Sequence, residues 1–296
     1  MTEHHPSVAE GDATAHDTVG HGEPGDGGVG HVTGHGGLEM PRLGFGTYEL
    51  EPDVAQRMVE AALEVGYRHV DTAQMYENEE AVGRAIAASG VPADDVFLTT
   101  KVSNEHHEPE ALRTSVERSI ERLGVERVDL LLVHWPVEFD RVSATMAALA
   151  NVHAGGLTRH VGVSNFTVEQ LERVATMAPL EALQVECHPL FRQDELRRWC
   201  RAHEWVFTAY SPVARGEVFD EEAMTEIADR LGSTASAVAL AWLLGLDGVA
   251  AIPRTSDEEH LRDNWDARLL ELDDEAREAI EGLDERRLVD PPFAPW

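Results

Sequence analysis

The chain has 296 residues, enough for one large α/β domain with a sizeable buried core. Its 55 acidic residues against 24 basic ones give a net charge of −31, which repels nucleic-acid backbones and anionic membrane surfaces and disfavours both as partners. The two cysteines, Cys187 and Cys200, make neither a metal-ligand pair nor a disulfide framework, which fits a reducing compartment.

In chain order, residues 1–37 come first as a separate regime, rich in Gly, His, Asp and Thr and almost without large apolar side chains. A disordered tail is expected there, whose deletion leaves the rest folded and active. The run Gly25-Asp26-Gly27-Gly28-Val29-Gly30 satisfies a Gly-x-Gly-x-x-Gly pattern, but no strand precedes it and no helix follows, so it carries no weight as a nucleotide site. His4, His5, His16, His21, His31 and His35 lack the convergent spacing of a metal site, and no bound metal is expected.

From Leu38 onward strand and helix alternate. Strands are predicted over 43–47, 69–73, 97–102, 129–134, 160–165, 182–188, 206–211 and 249–253, with amphipathic stretches between them such as 54–65, 110–123 and 194–203. Several strands are near-continuous apolar runs, as a parallel sheet covered on both faces requires. Eight such units predict an α/β fold, a closed (β/α)8 TIM barrel over 38–296; an open doubly wound sheet would need a glycine fingerprint after its first strand, which is absent. The longest apolar run, Val238 to Leu246, is too short to span a bilayer, and no secretory signal is visible. A soluble, cytoplasmic monomer is expected.

Lys101 is the only lysine; the other 23 of the 24 basic residues are arginine. Arginine presents a rigid planar fork that stays charged, whereas lysine offers a compact point charge whose pKa burial can tune. Lys101 ends the apolar, β-branched run Val96-Phe97-Leu98-Thr99-Thr100-Lys101, at the end of a strand where the active sites of parallel barrels form.

Polar residues gather at the same ends of the other strands. The second strand supplies Asp71, with Tyr76 just beyond, and the fourth supplies His134. The fifth ends on Ser164 and Asn165, the sixth on Gln184, Glu186 and His188, the seventh on Tyr210 and Ser211, the eighth on Arg254 and Thr255. A phenol is a poor acid at neutral pH. A neighbouring ammonium is expected to lower the pKa of Tyr76, Asp71 to hold that ammonium, and His134 to orient or polarise a carbonyl. Together they form a proton donor to a developing alkoxide.

The region from Leu38 to the C-terminus resembles the aldo-keto reductases. The resemblance rests on Gly44-Phe45-Gly46-Thr47-Tyr48, Asp71-Thr72-Ala73-Gln74-Met75-Tyr76-Glu77-Asn78-Glu79, Thr99-Thr100-Lys101, His134-Trp135-Pro136, Gly162-Val163-Ser164-Asn165-Phe166, Tyr210-Ser211-Pro212 and Ile252-Pro253-Arg254-Thr255, in that order along a barrel. The short connection after His134 and the ending Arg287-Leu288-Val289-Asp290 resemble the microbial branch called 2,5-diketo-D-gluconate reductases. The resemblance implies NADPH-dependent reduction of aldehydes or ketones (keto-sugar acids, methylglyoxal or related small carbonyls), with Tyr76 as proton donor, Lys101 and Asp71 tuning it, and His134 orienting the carbonyl. It implies that Ser164, Asn165 and Gln184 hold the nicotinamide carboxamide, that Tyr210 stacks on the ring, and that Thr47 and Ser211 line the cofactor groove. Tyr48 and Trp135 would wall the substrate pocket.

One departure concerns the cofactor. The family usually places Lys, then Ser or Thr, then an arginine six residues after the Lys, around the 2′-phosphate of NADPH. Here Arg254, Thr255 and His260 stand at those positions, with Asn264 in place for adenine. A mostly neutral histidine clamps phosphate less well than arginine, so NADPH is expected with NADH as a weaker alternative.

Two other functions use the same residues. A Schiff-base aldolase would use Lys101 as nucleophile, but leaves Tyr76 and the amide-bearing residues without a role. A non-catalytic, redox-sensing nicotinamide-binding barrel has no need of an intact Asp71, Tyr76, Lys101 and His134.

The acidic surface predicts a halophilic protein. At molar salt the Debye length falls to about 3 Å, which relieves self-repulsion. Both melting temperature and activity are expected to rise from dilute to molar KCl, and a melting temperature independent of salt would contradict a halophilic surface.

Overall fold

Strict alternation of inward and outward side chains organises the molecule. In a computed structural model, which describes residues 29–296, eight parallel strands form one sheet. They are β3 (Phe45–Gly46), β4 (His69–Asp71), β5 (Phe97–Val102), β6 (Val128–Val133), β7 (Thr158–Ser164), β8 (Leu180–Glu186), β9 (Val206–Tyr210) and β10 (Val249–Ala251), each paired with the next. The sheet closes where Leu43 bridges to Ala251, Gly44 N–H donates to the Ala251 carbonyl at 2.9 Å and Gly46 N–H to that of Pro253 at 2.9 Å. The (β/α)8 barrel is thus as expected, with all eight strands where the apolar runs place them.

Outward residues such as Phe45, Val70, Leu98, Leu131, Val133, Val163 and Leu183 belong to the core shared with the surrounding helices. Those helices follow the strands in order: α1 (Pro52–Val65), α2 (Glu79–Ala88), α3 (Pro109–Leu123), α4 (Val142–Ala154), α5 (Val168–Val174), α6 (Asp194–Ala202), α7 (Glu222–Leu231), α8 (Ala235–Leu244), α9 (Glu258–Asp266) and α10 (Asp274–Glu281). Among the described residues, no helix is long and apolar enough to cross a membrane. The apolar run that begins at Val238 is part of α8, which is buried on nearly every side, as a helix apolar all round must be.

Inward residues change character along the barrel. Near the floor, Leu130, Leu132, Ala182, Val206 and Ala250 form a second apolar cluster. His69 also points inward, against Gly44, where a Cβ would come within 2.5 Å of the imidazole. Burial pushes that imidazole down to about 4, so it is neutral at physiological pH. At the opposite end the inward positions are Asp71, Lys101, Ser164, Gln184 and Tyr210, all at or near strand C-termini. Gly162 lets β7 lie close to β8, since a Cβ there would meet the Ala182 carbonyl at 2.4 Å.

The tail boundary expected at residue 37 is set too late. His31–Thr33 forms strand β1, antiparallel to β2 (Glu39–Pro41), with Val32 opposite Met40. Val32, Leu38 and Met40 are buried against the floor cluster, and His35 N–H donates to the Glu204 carbonyl at 2.8 Å. Three apolar side chains spaced through a glycine-rich stretch suffice to plug the barrel, although the local composition reads as unstructured. Residues 1–28, which include His4, His5, His16 and His21 and most of the glycine motif, lie outside the described residues.

A chain begun at Leu38 is therefore expected to be less stable than one begun at Val29. Losing buried Val32 and uncovering Met40 costs about 2 kcal/mol or more, readable as a lower denaturation midpoint. Equal midpoints would show that the hairpin is dispensable.

Candidate active site

The buried lysine sets the geometry of the mouth. Lys101 is 1% exposed, and its three donors go to three acceptors: the Asp71 carboxylate, the Thr72 carbonyl at 2.9 Å and the Tyr76 phenolic oxygen at 3.3 Å. An ammonium has no acceptor to offer, so in the last of these the phenol oxygen accepts and its own O–H remains to donate elsewhere. The second Asp71 oxygen accepts from the Gln184 amide at 2.8 Å. The Tyr76 ring lies edge-on to Tyr48 at 5.1 Å and to His134 at 5.7 Å.

Burial and the Asp71 charge push the Tyr76 phenol well above its ordinary value, which reverses the lowering expected from the ammonium. Losing water penalises the phenolate, and the ammonium is largely committed to Asp71. Tyr76 is thus protonated at physiological pH. Burial lowers Lys101, against the pull of Asp71. It also holds His134 well below the usual imidazole range, with Lys101 adding to the effect, so this ring is neutral. Among the described residues, His134 Nδ1 finds no hydrogen-bond partner, although it is buried.

Tyr76 ends a short 3-10 turn, Gln74–Tyr76, and two flanking amides pin that turn. Gln74 donates to Ser115 and Ser119, both at 3.1 Å, and accepts from Ser103 N–H at 2.9 Å. Asn78 donates to the Thr47 and Leu50 carbonyls at 2.9 and 3.1 Å and accepts from the Thr72 hydroxyl at 2.8 Å. Neither residue was singled out from sequence, although both belong to the motif that contains Tyr76. Thr47, expected in the cofactor groove, is fully buried and donates to the Asp71 carbonyl at 3.0 Å; it supports the site from behind.

A cavity of about 1110 Å³ opens over these groups. Along it lie Tyr48, Asp71, Tyr76, His134, Trp135, Ser164, Asn165, Gln184, Tyr210, Ser211, Arg254, Thr255, His260 and Asn264, which is every expected site residue except Thr47 and Lys101. Asn165 adopts a left-handed backbone, φ 64°, and its amide donates to the His134 carbonyl and the Ser164 hydroxyl, both at 3.0 Å, while accepting from Tyr210 O–H at 2.7 Å. At the far end, Arg254 pairs with Glu49 at 2.9 Å. Asp257 caps α9, taking the N–H groups of Glu259 and His260 at 2.8 and 3.1 Å. Met75, Arg215, Phe219, Leu288 and Phe293 also line the cavity and were not anticipated. Met75, Arg215 and Phe219 lie in short 3-10 turns and Leu288 and Phe293 near the C-terminus, where no periodicity marks a facing side.

The aldo/keto reductase family model matches residues 42–285. Methylglyoxal reductase DkgB of Escherichia coli O157:H7 is 38% identical over 260 residues, covering 86% of this chain and 97% of that protein. The glyoxal reductase of Bacillus subtilis strain 168 is 38% identical over 260 residues, covering 87% and 94%. A crystal structure assigned as 2,5-diketo-D-gluconic acid reductase B superposes with a TM-score of 0.86 at 37% identity, over 89% of this chain and 95% of its own. By family match, near full-length likeness and shared fold, this chain belongs to the aldo/keto reductase family and is an oxidoreductase acting on carbonyl groups.

Proposed function

We propose that the protein reduces small aldehydes and ketones, such as methylglyoxal, glyoxal or keto-sugar acids, to alcohols, with NADPH as hydride source and Tyr76 as proton donor. The observation that carries this reading is the direction of the Lys101–Tyr76 hydrogen bond. With the ammonium donating to the phenol oxygen, the phenolic proton is left for the cavity, beside neutral His134.

The side chains along the cavity suit a nicotinamide nucleotide. The Gln184 amide has its N–H on Asp71, leaving its carbonyl oxygen as an acceptor for a carboxamide, and the Ser164 hydroxyl lies beside it. Tyr210, anchored through its hydroxyl to Asn165, offers a ring face for stacking. The bound reduced nicotinamide would supply a hydride to the carbonyl carbon. His134 would donate through Nε2 to the carbonyl oxygen, and Tyr76 would pass its proton to that oxygen as negative charge develops there. The phenolate so formed is stabilised by Lys101, whose charge Asp71 keeps in place. A Schiff base at Lys101 is disfavoured, because the residue is 1% exposed and its nitrogen is committed to three acceptors.

Tyr76→Phe is expected to lower kcat by about 10²- to 10⁴-fold with nucleotide binding retained. Lys101→Arg keeps the charge, but its planar fork cannot match three acceptors converging on a point, so a comparable loss is expected. Full turnover in either variant would remove the assignment.

Cofactor choice follows from the far end of the cavity. The ribose phosphate of NADPH brings about two negative charges near neutral pH. Arg254 and Thr255 can meet it with charge-assisted hydrogen bonds worth about 1.5–3 kcal/mol each. Glu49 competes for Arg254, while Asp257, Glu258, Glu259 and Asp263 surround His260 with negative charge. NADPH should therefore be preferred over NADH, but by a small margin. His260→Arg should widen the ratio of kcat/KM values and Arg254→Ala should collapse it; a strong NADH preference in the natural protein would overturn this assignment of the phosphate site.

A further inference from the structure

The segment from Arg286 to Trp296 runs past the barrel mouth as a strap with neither helix nor strand. Leu288, Val289 and Phe293 line the catalytic cavity, and Phe293 and Trp296 lie against Trp135 with ring centroids 5.2 and 5.6 Å apart. Part of the strap borders a second cavity of about 410 Å³, between Phe166, Phe191 and Arg287, so it is not seated on packed core along its whole length. Most of what holds it is at the surface. Arg286 pairs with Glu217 and Glu221, and Trp296, 40% exposed, lies 3.6 Å from the Arg287 guanidinium.

One hold is buried. Glu186, the last residue of β8, is 1% exposed, and its carboxylate takes two consecutive main-chain donors of the strap. Leu288 N–H donates to Oε1 at 2.8 Å and Val289 N–H to Oε2 at 3.1 Å, while His188 Nε2 lies 3.1 Å from Oε1. Among the described residues the close ionic partner of Glu186 is His188, and the Arg287 guanidinium of the strap acts on it from farther away. A carboxylate excluded from water needs such donors to stay charged. Because they are backbone groups, they fix the path of the strap whatever side chains it carries. Gln184, two residues earlier on the same inward face, holds Asp71. One strand thus braces the proton-donating group with one side chain and the strap with the next.

We infer that Glu186 is a positioning residue for the substrate pocket: by fixing the strap, it sets the wall facing Trp135 and so selects carbonyl substrates by the size of the group beyond the carbonyl. This deepens the carbonyl-reductase reading and rests on it. Glu186 has no part in hydride or proton transfer.

Glu186→Gln tests the inference in the full chain. Glutamine keeps one acceptor oxygen but turns an NH2 group toward the other strap N–H. KM for 4-nitrobenzaldehyde, whose nitrophenyl group is far larger than the acetyl group of methylglyoxal, should rise about fivefold or more, a loss of about one hydrogen bond. KM for methylglyoxal, kcat for both aldehydes and the NADPH Kd should stay within about twofold, since the groups that touch them are unchanged. Trypsin gives a readout without turnover: cleavage after Arg287, seen by mass spectrometry as loss of residues 288–296, should become several-fold faster. Val289→Pro, compared with Val289→Ala, deletes a strap donor while leaving Glu186 and the Arg287–Leu288 bond in place, and should reproduce both effects if Glu186→Gln does not fold. Unchanged KM and cleavage rate in these variants, or equal losses of kcat for both aldehydes, would overturn the inference. If the natural enzyme reduced neither aldehyde, the reductase reading would fail, while the cleavage rates would still report on the strap.

Discussion

A single ammonium enclosed at the top of the barrel constrains everything around it. Removing such a charge from water costs several kcal/mol after relaxation, and the cost is offset only when its donors are met at close range. Asp71, the Thr72 carbonyl and the Tyr76 oxygen meet them. Each partner must then be held in turn: Asp71 by Gln184, and the turn carrying Tyr76 by Gln74 and Asn78. Removing one member of the ion pair would leave a buried charge unmatched, a loss of about 3–5 kcal/mol. This accounts for a lysine in a chain otherwise served by arginine, since three acceptors converging on a point suit an ammonium and not a planar fork.

The same scarcity of water governs the titration of the site. His69 near the floor and His134 at the mouth are both held neutral, and Tyr76 is held protonated. Burial is the largest cause in all three. In a wet pocket the nearby ammonium would lower the phenol; here the desolvation of phenolate outweighs it. The proton is therefore retained at physiological pH, with the Lys101 ammonium donating to the phenol oxygen.

Charge is arranged differently at the surface. Several arginines of this acidic chain pair with carboxylates at exposed positions, such as Arg84 with Glu80 and Arg113 with Glu117. Such pairs contribute about 0–1 kcal/mol and weaken with salt. The Arg254–Glu49 pair is of this kind, which leaves Arg254 able to exchange its carboxylate partner for a phosphate at little cost. The strap hold at Glu186 is of the opposite kind, buried and made with backbone donors, and salt should hardly reach it.

The sequence by itself determined the barrel, because eight apolar β-branched runs separated by amphipathic stretches leave few other ways to bury both faces of a parallel sheet. It also determined which residues meet at the mouth, since strand C-termini in a barrel share one end, and Asp71, Lys101, His134, Ser164, Gln184 and Tyr210 were legible from position alone. Tertiary structure decided what depends on contacts distant in the chain. Val32, Leu38 and Met40 become a plug only in a cluster with Leu132 and Ala182, which no local pattern around residues 31–37 records. The sign of the Tyr76 shift needed the depth of burial, and the place of Thr47 behind the site needed its bond to Asp71. Glu186 and Leu288 stand 102 positions apart, and no local pattern records that a buried carboxylate on one strand is satisfied by the backbone of a strap at the other end of the fold.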